Sequence, residues 1–126
     1  MTVAIAYVDG PRLARSLFAA ADWVAAGREE INRINVFPVP DGDTGTNMSL
    51  TMKAAVDAAN AAPEATRARA GGVAAEIAAG SLMGARGNSG VILSQIFRGF
   101  ARAIGDREKI DGRDIAAALG GARDTA

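Results

Sequence analysis

Glycine and proline cut this chain into pieces of helical length, and that punctuation constrains the fold more than any single motif. Breaks fall at Gly10-Pro11, Gly27, Pro38 with Pro40, Pro63, the stretch Gly80 to Gly90, and Gly105. Between them apolar residues recur three and four positions apart, the period of an amphipathic helix. Alanine is abundant and β-branched residues are scattered, which favours helix over sheet. The expected fold class is therefore all-α, in one domain.

The individual elements follow from this pattern. Asp9-Gly10-Pro11 reads as a helix start, with Asp9 as cap and Pro11 tolerated in the first turn. Leu13, Leu17, Ala20 and Val24 then share a face, and Gly27 ends the run. Arg28 to Ile34 reads as a short second helix with Glu29 and Glu30 in its first turn, where the helix dipole favours acids. Met48, Met52, Ala55, Val56 and Ala59 predict a third helix that ends near Pro63. A fourth is expected from Thr66 to Ala79, with Val73 and Ile77 inward, followed by a glycine-rich loop from Gly80 to Gly90. The helix expected from Val91 is apolar nearly all round (Val91, Ile92, Leu93, Ile96, Phe97, Phe100), which predicts a central position. Gly105 to Lys109 reads as a polar turn, and Asp111 opens a last helix with Ile115 and Leu119 inward.

Composition narrows the chemistry. At 126 residues the chain can bury a real core. Lys plus Arg equal Asp plus Glu at 14 each, which argues against a broad nucleic-acid footprint. There is no cysteine and no histidine. That excludes disulfides, thiolate or imidazole metal sites, and any mechanism with an imidazole base. No apolar run approaches the ~20 residues needed to span a bilayer. The first residues lack the basic region of a signal peptide. A cytoplasmic protein without a membrane span is expected.

Two segments stand out as chemistry. The first, Asn35-Val-Phe-Pro-Val-Pro-Asp41-Gly-Asp43-Thr44-Gly45-Thr46-Asn47-Met48, places two carboxylates on either side of one glycine. Pro38 and Pro40 stiffen it, and Gly42 and Gly45 allow tight turns. Its Asp, Thr and Asn side chains are oxygen donors suited to a hard cation such as Mg²⁺. The second, Gly84-Ala-Arg86-Gly87-Asn88-Ser89-Gly90, offers backbone amides, polar side chains and the Arg86 guanidinium for phosphate oxygens. Each glycine-rich segment feeds a helix N-terminus, which carries unpaired N–H groups and partial positive charge. Two carboxylates would repel a phosphate unless a cation stands between them, so a metal-bridged nucleotide is the consistent picture. Bland readings stay open beside this one. Asp-Gly-Asp serves in surface turns, and Asn88 or Ser89 can simply cap the helix from Val91. Gly84, Gly87 and Gly90 can permit close helix packing, and Met48 and Met52 suit a core. Neither segment matches the P-loop or the calcium helix-loop-helix pattern.

Taken together, Asn35 to Met48 and Gly84-Ala-Arg-Gly-Asn-Ser-Gly-Val-Ile-Leu-Ser-Gln95 resemble the N-terminal kinase domain of bacterial fatty acid kinase. That domain falls in the superfamily of the dihydroxyacetone kinase L subunit. The resemblance extends from about Asp9 to the chain end. It implies antiparallel amphipathic helices forming part of an eight-helix barrel, with ATP or ADP and two Mg²⁺ at one rim. On the matching motif, Asp41 and Asp43 would be catalytic metal ligands, with Asn35 as a weaker ligand or a support to them. Thr44, Gly45, Thr46 and Asn47 would lie beside the phosphates. Ser81, Gly84, Gly87, Asn88 and Ser89 would contact phosphates or nucleotide, and Arg86 would assist transfer. In the family a DegV-like protein presents a fatty acid whose carboxylate accepts the γ-phosphoryl group, giving acyl phosphate for phospholipid synthesis.

Two departures qualify the resemblance. Dihydroxyacetone kinase L subunits carry a third aspartate upstream and a histidine after the second. Asn35 and Thr44 stand near those places here, which favours the fatty-acid branch over phosphorylation of dihydroxyacetone. The family's domain also continues past Ala126, so residues 1–126 are expected to be a kinase domain incomplete at its C-terminal end. Exposed helix faces would then favour homo-oligomers, or a non-catalytic nucleotide-binding module.

Overall fold

A computed structural model describes residues 7–34 and 43–125. Among these residues it is all-α, with seven helices and no strand: α1 (Gly10–Ala26), α2 (Arg28–Arg33), α3 (Thr44–Ala61), α4 (Glu64–Arg67), α5 (Ala70–Met83), α6 (Gly87–Ile104) and α7 (Gly112–Thr125). An isolated antiparallel bridge joins Val8 with Ile110.

The first helix starts where capping chemistry places it. The Asp9 carboxylate accepts a hydrogen bond from the Arg12 N–H at 3.0 Å, and Pro11 occupies the first turn. Gly27 closes α1 and leads directly into α2. The α7 start is doubly capped. The Asp111 N–H donates to the Asp114 carboxylate, and the Asp114 N–H donates back to Asp111, both at 3.0 Å.

Two apolar clusters hold the helices together. Leu17 of α1, Met52, Ala55 and Ala59 of α3, and Val73 and Ile77 of α5 form the first. Ala70 and Ala74 of α5, Ile104 of α6, Ile110 of the bridge with Val8, and Ala118 of α7 form the second. Many of these residues are alanines, so the stabilisation comes from close helix approach rather than bulky side chains. Gly80 of α5 and Gly84 at its C-terminal cap illustrate the closeness: a methyl group there would collide with Ala58 and Ala54 of α3, respectively.

The structure departs from the sequence expectations in four places. The expected fourth helix from Thr66 is split into α4 and α5, because Arg69 is extended at φ −107°, ψ 136°. The reason is tertiary. The Ala70 and Gly71 N–H groups donate to the Glu108 and Arg107 carbonyls at 2.9 and 2.8 Å, so the 105–109 turn takes over the first-turn donors of α5. Second, α5 continues through Gly80 to Met83, and α6 begins at Gly87 rather than Val91. The intervening loop is thus much shorter than Gly80 to Gly90, because packing on α3 outweighs the weak helix propensity of Gly80. Third, α6 packs against α3, α5 and α7 but is not buried nearly all round. Val91 and Ile92 are about half exposed, and Gly90, Ser94, Gly99 and Ile104 are its buried residues. Fourth, Leu119 faces outward while Ala118 and Ala122 are buried, because Gly99 of α6 lies so close to Gly121 and Ala122 that only small side chains fit between.

Candidate functional site

The two motif segments, remote in sequence, meet in space at the N-termini of α3 and α6. Thr51 of α3 is the junction. Its fully buried hydroxyl donates to the Asn47 carbonyl at 2.8 Å and accepts the Arg86 N–H at 3.2 Å. The Ser89 hydroxyl donates to the Thr44 carbonyl at 3.5 Å. Gly87, at φ +65°, lies against the Asn47 side chain, and a Cβ there would collide with the Asn47 amide. Gly90 sits as closely on Thr51.

This arrangement sets two helix N-termini side by side. Neither α3 nor α6 has an acidic residue in its first turn. Each terminus contributes partial positive charge and N–H donors, and together they favour an anion. Arg86, Gly87 and Asn88 are exposed, while Thr44, Asn47 and Ser89 are half-buried at the same edge. Asn88 and Ser89 lie inside the first turn of α6 and do not cap a helix from Val91; Arg86 takes the cap position without a side-chain cap bond. Ser89 instead reaches across to α3.

The other expected site residues sit differently. Gly45 is buried against α2, where a Cβ would collide with the Arg28 carbonyl. Gly84 packs on Ala54. Ser81 is fully buried within α5 and donates to the Ala78 carbonyl at 3.0 Å. Asp43 is exposed at the start of α3, and its carbonyl accepts the Asn47 N–H at 2.9 Å. Asn35 and Asp41 lie outside the described residues. Among the described residues no group of three or more acidic side chains forms a ready cation site.

Two residues of the site escaped the sequence reading. Thr51 looked like an ordinary helix residue, since its partner across the junction is a backbone N–H. Asn32 of α2 makes a paired contact with Thr46: its Oδ1 accepts the Thr46 N–H at 3.1 Å, and its Nδ2 donates to the Thr46 hydroxyl at 3.0 Å. An Asn in a short polar helix carries no sequence signal for such a role.

On the α1–α2 side of the same turn lies a cavity of about 380 Å³. Phe18, Leu50 and Val56 give it an apolar wall, and Asp22, Arg28, Thr46 and Lys53 a polar one. Ser49, which also lines it, has a buried hydroxyl without a hydrogen-bond partner.

The model of the DAK2 domain matches residues 38–126, which include both segments from Pro38 onward. The chain belongs to the DAK2-domain family. That family is associated with kinases of the dihydroxyacetone kinase L-subunit type, in which the domain binds nucleotide. Protein YloV of Bacillus subtilis is 43% identical over 117 residues, covering 93% of this chain and 21% of that protein. An uncharacterized protein of Staphylococcus saprophyticus is 38% identical over 122 residues, covering 97% of this chain and 22% of that protein. The chain thus spans about a fifth of the length of these DAK2-domain relatives. Among the described residues of this DAK2-family chain, no helix is long and apolar enough to cross a membrane.

Proposed function

We propose that this chain carries the nucleotide and metal pole of an ATP- and Mg²⁺-dependent kinase. Its acceptor would be a fatty acid held by a DegV-like carrier, and its product an acyl phosphate. The observation that carries the reading is the pairing of the α3 and α6 N-termini through Thr51, Ser89 and Gly87. The donor set of this edge fits a hard cation, since it offers carboxylate, hydroxyl and amide oxygens and neither sulfur nor imidazole. Asp41 and Asp43 would hold Mg²⁺, with Asn35 in support. When bound, Mg²⁺ would neutralise charge on the phosphate oxygens.

The chain's own residues would do the rest. The first-turn amides of α3 and α6, with Thr44, Thr46, Asn47, Asn88 and Ser89, would position the phosphates. The Arg86 guanidinium would bind charge that develops during transfer. A fatty acid is already ionised at neutral pH, so its carboxylate attacks without a general base. This agrees with a chain that has no histidine. The cavity beside Thr46 favours the fatty acid over dihydroxyacetone, because its mixed wall suits a carboxylate with an apolar tail.

Calorimetry of ADP binding with and without Mg²⁺ tests the reading. Mg²⁺-dependent binding, lost in Asp41→Ala and Asp43→Ala, is expected. Undiminished binding in either variant would overturn it. Product analysis with both acceptors in the longer protein would separate the two kinase activities.

A second reading, an assembly module that binds nucleotide without turnover, draws on one observation. Leu82, Met83, Val91 and Ile92 are all exposed around the α5–α6 connection, and such a patch favours self-association. Light scattering that gives a monomer of 12.8 kDa at all concentrations would count against it.

A further inference from the structure

The cavity between α1 and α3 has a direction. Arg28, at the start of α2, lies against Gly45 at the start of α3, whereas Leu17 of α1 packs with Met52, Ala55 and Ala59 further along. The two long helices are therefore antiparallel, and the lining residues fall in order along them. Arg28, Thr46 and Ser49 stand at the end nearest the α3 N-terminus. Phe18 and Val56 stand at the other, with Val56 about 15 Å of helix rise beyond Thr46. Asp22 and Lys53 flank the middle with opposite charges, and Lys53 also pairs with Asp57 in an exposed contact. Among the described residues Arg28 has no ion pair, so the unbalanced positive charge of the cavity lies at its polar end.

Ser49 is an independent sign. Ser16, Thr51, Ser81, Ser94 and Thr125 each donate their hydroxyl to a carbonyl in the preceding turn of their own helix. The buried Ser49 hydroxyl makes no such bond. An unpaired buried hydroxyl is costly, and rotation about one bond, between staggered positions, would let it meet an oxygen in the cavity. Beside it, the Thr46 oxygen accepts from Asn32 Nδ2, which leaves the Thr46 hydrogen to donate elsewhere. Two hydroxyls and a guanidinium at one end, with aliphatic and aromatic carbon at the other, match a carboxylate with an apolar tail.

We propose that this cavity binds the carboxylate end of a free acyl chain, with its head at Arg28, Thr46 and Ser49 and its tail toward Phe18 and Val56. The acceptor is then held by this chain itself and not by a carrier alone. Its role as acceptor site rests on the function proposed above; the binding site does not. Thr46 belongs both to the cavity and to the first turn of α3, and Ser49 is about 4.5 Å of helix rise further on. A carboxylate at this end lies beside the helix terminus at which the phosphates would sit.

Calorimetric titration of the intact chain with decanoate, below its micellar range and without nucleotide or carrier, tests this. Saturable binding at one site is expected. Ser49→Ala and Arg28→Gln should each weaken it about tenfold, as for a lost hydrogen bond to a charged group. Octanoate should bind several-fold more weakly than decanoate, because two fewer methylenes are buried. Decyltrimethylammonium and decyl phosphate should each bind at least about tenfold more weakly, since one cation repels the first head and underneutralises the second. Decanoate binding unchanged in both variants, or equal binding of all three heads, would overturn the proposal. Tighter binding of decyl phosphate would assign the head to a phosphate and overturn it as well. Should Ser49→Ala fail to fold by circular dichroism, Arg28→Gln decides alone, because Arg28 is exposed. Mg²⁺-dependent ADP binding without any decanoate binding would overturn this site and leave the kinase reading standing. Decanoate binding by a chain that binds no ADP would uphold the site and sink the kinase reading.

Discussion

The hydroxyl of Thr51 and the backbone N–H of Arg86, 3.2 Å apart, tie together two segments that thirty-odd positions separate in the chain. The same hydroxyl donates to Asn47, so one buried oxygen satisfies a group on each segment. Burial makes the contact matter, because an N–H left without a partner away from water is costly.

Replacing Thr51 by Val keeps the shape and removes both bonds. Chemical denaturation should show a loss of about 1–3 kcal/mol, the usual cost of orphaning buried polar groups. Thr51→Ser keeps the hydroxyl and should lose less. If the junction positions the phosphate site, Thr51→Val should also weaken ADP binding more than Thr51→Ser does.

Gly87 has a different sensitivity. Its φ of +65° is unfavourable for a side chain, and the Asn47 amide fills the space a methyl would need. Gly87→Ala should therefore cost at least about 1 kcal/mol from the backbone alone. It should also displace Asn47. A thermal melt of Gly87→Ala equal to wild type would contradict the described geometry.

Gly120 gives the opposite sign. It lies inside α7 with open space where a Cβ would stand. Gly120→Ala should raise stability by about 0.5–1 kcal/mol through helix propensity. The same denaturation experiment checks it.

Acid should loosen α7. The Asp114 backbone N–H, the largest influence, holds the Asp111 carboxyl below its ordinary value of 3.8. Because the folded pKa is the lower one, the stabilisation is complete above the ordinary value. It is lost as pH falls below 3.8 toward the depressed folded value. Helicity followed by circular dichroism between neutral pH and pH 3 should show this loss in wild type, and a flatter acid limb in Asp111→Asn.

How much of this was legible in the residues depended on the range of the interaction. The all-α class, the Asp9 and Asp111 helix starts and the Gly27 break were readable because they rest on contacts within a few residues. The chemical character of both segments was readable as well, because donor type belongs to side chains. Met52 was expected in the core and is buried there. The expected site at Asn35 and Asp41 falls outside the described residues.

By itself, then, the sequence determined helical segments, an oxygen-only donor set and a chemistry without imidazole or thiolate. Tertiary structure decided where helices stop and which groups meet. The 105–109 turn cut α4 from α5, contact with α3 carried α5 through Gly80, and small-residue packing turned Leu119 outward. The pairing of α3 with α6 and the Asn32 cap on Thr46 were likewise decided there. The physical reason is common to all of these. Local hydrogen bonds and periodicity are written in neighbouring residues, whereas close packing between alanine- and glycine-rich helices is selected by partners that no local pattern specifies.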